Sequence, residues 1–143
     1  MSVLPRPPMM SEQFGNAPSG KPPRPWSHKF ADAFRGLKFG MRGHSSFAVH
    51  FFFAALVIAG AIVLGCSLEQ WCILLGCIGM VLAAELFNSA LETLVRGLDE
   101  VDRRRLAPCL DIAAGAVLLA SITAAIIGIV IFTAIFLRHF DVI

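Results

Sequence analysis

Residues 71–92, WCILLGCIGMVLAAELFNSALE, run from Trp71 to Ala84 without a charge and then bring in Glu85, Asn88 and Glu92. Spacings of three and seven residues put two carboxylates and an amide on one face of a helix. The rest of that helix is apolar enough for lipid. An acid near bilayer depth costs roughly 2.5–3.5 kcal/mol even on lenient insertion scales, so two aligned acids read as functional.

The remainder of the chain fits a membrane setting. It has 143 residues, 57% hydrophobic and 15% charged, with a mean hydropathy of +0.74. That is too apolar for a soluble domain of this size. The apolar residues form blocks. Phe47–Gly65 is broken only by His50, Trp71–Val95 carries the polar face, and Ile112–Leu137 has no charge. Each can cross a hydrocarbon layer of about 30 Å, which takes about 20 helical residues. The expectation is an all-α membrane protein with spanning helices near 46–66, 70–97 and 107–138.

Upstream of the first span the pattern changes twice. Residues 1–27 hold seven of the eight prolines, with Ser, Gly and Asn between, and lack the apolar core of a signal peptide. They read as a disordered cytosolic tail whose Pro-Pro pairs are at most a partner motif. Over 28–44 the chain becomes amphipathic. Phe30, Ala33, Phe34, Leu37 and Met41 make an apolar stripe, and Lys29, Arg35, Lys38 and Arg42 cover the other side. Such a basic helix suits the headgroup layer.

Lysine and arginine placement sets the orientation. Seven precede the first span, none lies in the first connection around Cys66–Gln70, and Arg96, Arg103, Arg104 and Arg105 mark the second. The positive-inside rule then places the N-terminus and the second connection in the cytosol. Gly97 is expected as a left-handed cap of the second span and Pro108 in the first turn of the third. If the second span enters at Trp71, it leaves the hydrocarbon near Ala90, about 20 residues on. Glu92 then lies at the cytosolic boundary, Glu85 about five residues and roughly 8 Å inside the exit near Ala90, and Asp111 at the same level on the third span. Helix–helix hydrogen bonding is the competing account of these polar residues, strongest for Asn88 and Ser89.

ELFNSALE, the arginine-bearing connection and LDIAAGAVLL resemble the small prokaryotic diacylglycerol kinase/undecaprenol kinase family. AFRGLKFGM and SSFAVH are similar to that family's surface helix and its approach to the first span. The resemblance covers about residues 30–136. It implies a homotrimer of three-helix protomers in the bacterial inner membrane, transferring the ATP γ-phosphoryl group to a membrane lipid alcohol. By position, Glu85 matches the general base and Glu92 a magnesium ligand. Asn88 and Asp111 match polar residues of the same site, and Arg35 and Lys38 of the surface helix join them as ATP-binding candidates.

The chain departs from the family pattern at three positions. His44 stands where a second metal-binding glutamate is usual, and imidazole is a poor magnesium ligand. Leu110 replaces a lysine before the aspartate, and Arg96 replaces an acid. Arg96 and Arg103–Arg105 are candidates to replace the lost cation. A non-catalytic trimeric scaffold or regulator is therefore a rival reading. An ion or proton transporter is a weaker one, because the outer half of the second span offers no polar path. Cys66, Cys72, Cys77 and Cys109 lack metal-ligand spacing and read as small buried hydrophobes, and His50 reads as interfacial packing. A net charge of +2 with no stacking aromatics among the basic residues argues against nucleic acid.

Overall fold

The computed structural model describes residues 25–41 and 45–139. Four helices follow in order: α1 Trp26–Met41, α2 Ser45–Val63, α3 Leu68–Arg96 and α4 Glu100–His139. No strand occurs among the described residues. Most of the tail, and with it His44, lies outside the described residues. Helix α1 starts two residues before the expected boundary.

Helices α2, α3 and α4 are each long and apolar enough to cross a membrane. Their exposure pattern fits that medium. Phe51, Phe52 and Phe53 of α2 are all exposed, as are Leu118, Leu119, Ile126 and Ile129 of α4. In lipid such side chains need no protein cover, while every helical backbone group is satisfied internally. Helix α3 lies at the centre. Its buried residues Leu74, Cys77, Val81, Glu85 and Asn88 recur at three- and four-residue steps along one face, with Ser89 and Val95 buried beyond them. That face is apolar from Leu74 to Val81 and polar from Glu85 to Ser89.

A tight connection joins α2 to α3. Gly65 is left-handed at φ 66°. The Cys66 N–H bonds the Ala61 carbonyl at 3.0 Å and the Gly65 N–H bonds that of Ile62 at 3.3 Å, the paired bonds of a Schellman cap. Two residues later Ser67 caps α3, its hydroxyl accepting from the Gln70 N–H while the Gln70 side chain accepts from the Ser67 N–H. This antiparallel turn brings the start of α2 beside the end of α3.

The second connection differs from expectation. Gly97 is right-handed, at φ −81° and ψ −4°, so the left-handed glycine of the chain's turns is Gly65 instead. Helix α4 begins seven residues before 107 because Asp99 caps it, its carboxylate accepting the Asp102 N–H at 2.9 Å. Pro108 therefore lies inside the helix rather than in its first turn. With 40 residues, α4 is about 60 Å long at 1.5 Å per residue, about twice the hydrocarbon thickness. Its charged first turns project beyond the apolar layer.

Helix α1 rests lightly on α3 and buries no residue of its own. Phe30 and Phe34, central to its apolar stripe, are 63% and 70% exposed and line an open apolar groove with Leu86 and Phe87 of α3. The two helices come close at Gly40, where a Cβ would lie 2.9 Å from Leu86 Cδ2.

Candidate functional site

The polar end of the α3 stripe carries the site. Glu85 is only 3% exposed, and Asn88 and Ser89 are buried with it. Asn88 Nδ2 donates to Glu92 Oε1 at 2.9 Å. The other oxygen of Glu92 accepts from Arg96 Nη2 at 3.2 Å. Successive four-residue steps thus align Asn88, Glu92 and Arg96 along one edge of α3. Glu92 is half-buried, so its carboxylate is reachable while its orientation is fixed from both sides.

Glu85 faces α2. His50 Nε2 lies 3.8 Å from Glu85 Oε2, the one polar contact reaching that carboxylate among the described residues. From sequence His50 reads as interfacial packing; the structure adds its approach to Glu85. The signal was present in the sequence, since His50 is the sole polar side chain in an apolar run and needs a partner at depth. What the sequence could not supply is the partner, because α2–α3 register sets it.

The remaining expected residues are dispersed in the single protomer. Asp111 is exposed on α4. Among the described residues no group of three His, Cys, Asp or Glu side chains converges to hold a metal. The spacing explains part of this, because Glu85 and Glu92 are about 10 Å apart along the helix axis at 1.5 Å per residue. The donor set still suits magnesium, which takes one or two carboxylates and completes its shell with substrate phosphates and water. Glu92 supplies such a carboxylate. Arg35 and Lys38 lie exposed on α1, Arg35 paired with Asp32.

The arginines beyond α3 have local partners. Arg103 donates to the carbonyls of Arg96 and Leu98 at 3.1 and 3.2 Å, placing a cation at the negative end of α3. Arg104 pairs with Glu100 and Arg105 with Asp102. Of the cysteines, Cys77 is buried and Cys66 half-buried, but Cys72 and Cys109 are exposed. Burial was expected for all four; Cys72 instead falls on the outer face of α3.

The sequence model of the prokaryotic diacylglycerol kinase family matches residues 31–132. The chain belongs to this family. The match runs from α1 through most of α4 and includes every element of the site. No curated protein and no solved structure matches the chain. Membership in this kinase family makes lipid phosphorylation the activity against which the geometry is to be weighed. Glu85 is the more deeply buried of the two carboxylates, and Glu92, nearer the helix end, is held by Asn88 and Arg96.

Proposed function

We propose that the chain phosphorylates the hydroxyl of a membrane lipid, diacylglycerol or undecaprenol, using Mg·ATP at the cytosolic face of the bacterial inner membrane. The observation that carries this reading is the buried Glu85 carboxylate, held inside a membrane helix about two turns deeper than Glu92. A lipid hydroxyl resides at that interface. As its oxygen attacks the γ-phosphorus, Glu85 accepts its proton and the bond from phosphorus to the ADP oxygen breaks. The products are the lipid phosphate and ADP.

Glu92 and the Asn88 amide are the groups that hold Mg·ATP, with Asp111 and the α1 residues Arg35 and Lys38 as further contacts. The magnesium ion supplies charge neutralisation on the phosphates. The active assembly is a homotrimer in this reading, with its N-terminus in the cytosol as the arginine and lysine placement requires.

A specific observation favours a second reading. Arg96 already neutralises Glu92, and together with Leu110 and His44 this suits a trimeric scaffold that no longer transfers phosphate. The deciding experiment is ATP-dependent phosphorylation of a panel of lipid alcohols by the purified protein in bilayers. Transfer to either alcohol supports the kinase. Silence across the panel, with trimers intact, selects the scaffold.

A further inference from the structure

We propose that His50 is the proton-relay partner of Glu85, taking from it the proton that each turnover leaves behind. This rests on the kinase reading above and assigns a role within it to a residue on a different helix. His50 lies five residues into α2, about 7.5 Å from its first residue at 1.5 Å per residue. The antiparallel connection at 64–67 sets it opposite Glu85. The gap from Nε2 to Oε2 is 3.8 Å, and the side chains are 18% and 4% exposed respectively. His50 is therefore the more open member of the pair.

The contact is poorly made for simple adhesion. At 3.8 Å it lies outside hydrogen-bond range, so it contributes little as glue between α2 and α3. It is well placed for transfer, because contacts that carry protons are often long in the empty site and shorten once substrate is bound.

The need for a relay follows from burial. After phosphoryl transfer Glu85 is a neutral carboxylic acid and must lose its proton before the next hydroxyl arrives. Solvent barely reaches it. Imidazole Nε2 accepts that proton, restoring the carboxylate and leaving imidazolium, which then gives up one proton and returns to the neutral Nδ1–H tautomer before the next turnover. Imidazole is the side chain suited to taking up and releasing protons near neutral pH. The net reaction converts alcohol and ATP to lipid phosphate, ADP and one proton, so no other reactant is required.

The test uses the full chain in bilayers with Mg·ATP and whichever of diacylglycerol or undecaprenol the wild type phosphorylates. His50→Gln keeps a polar side chain of similar size but carries no proton. It is expected to lower kcat about ten- to a hundredfold with KM for both substrates unchanged. His50→Ala is expected to show a similar loss, partly restored by millimolar imidazole, which enters the space left by the ring. Imidazole is expected to leave His50→Gln unaffected because that space is filled. A His50→Gln enzyme with wild-type kcat would overturn the relay, as would a loss confined to KM or a His50→Ala enzyme that imidazole does not restore. A wild type that phosphorylates neither lipid defeats the kinase reading itself and the relay with it, so the two failures are distinct.

Discussion

Arg96 Nη2 lies 3.2 Å from Glu92 Oε2, one turn along α3, so the carboxylate proposed to hold magnesium carries a competing cation. The guanidinium is 66% exposed and Glu92 32% exposed. Exposed pairs of this kind contribute about 0.2–1 kcal/mol. Replacing Arg96 by Gln is therefore expected to lower the magnesium concentration for half-maximal activity by up to about fivefold. Titration of activity against magnesium at fixed ATP measures it. An unchanged midpoint would show that Arg96 does not compete for Glu92.

The two glutamates are expected to fail differently. Glu85→Gln removes proton acceptance while keeping shape, and kcat is expected to fall by about a hundredfold or more with nucleotide affinity preserved. Glu92→Ala removes the carboxylate that Asn88 orients, so the apparent KM for Mg·ATP is expected to rise while kcat falls. Near-full lipid phosphorylation by both variants would return these residues to helix–helix adhesion.

Two substitutions toward the family pattern are expected to raise activity. His44→Glu adds an oxygen ligand, and Leu110→Lys adds a cation beside Asp111. The gain is expected to be largest at low magnesium, where an added ligand changes occupancy most. Assays of each variant and of the pair across a magnesium series check this. An inactive wild type that stays inactive through both changes, with trimers intact, supports the scaffold.

Gly65 offers a test of the fold independent of activity. Its φ of 66° is a conformation that costs an L-residue roughly 1–2 kcal/mol. Nothing crowds the position, so Gly65→Ala is expected to destabilise the protein by about that amount through backbone strain alone. Unfolding in mixed detergent micelles reads it. An unchanged midpoint would mean that the α2–α3 turn relaxes to another cap.

The sequence by itself determined the elements. Three apolar blocks must become helices in lipid, because no other backbone arrangement short of a closed barrel satisfies its own hydrogen bonds there. The three-residue and four-residue steps from Glu85 to Glu92 are local, so helix geometry alone placed Asn88 beside Glu92 and Arg96 one turn beyond. Helix ends were legible only where side-chain chemistry had no rival. Gly97 does close α3, though in a right-handed conformation, whereas Pro108 looked like a boundary residue but Asp99 capped α4 first and the helix ran through the proline.

Tertiary structure decided what faces what. His50 and Glu85 are 35 positions apart, and their meeting depends on how the Gly65 turn sets the register of α2 against α3. No local spacing encodes that distance. The same holds for Asp111, whose expected depth matched the glutamates while its direction on α4 left it exposed. Depth in a membrane follows from counting residues along a helix, whereas direction around it is settled only when helices pack.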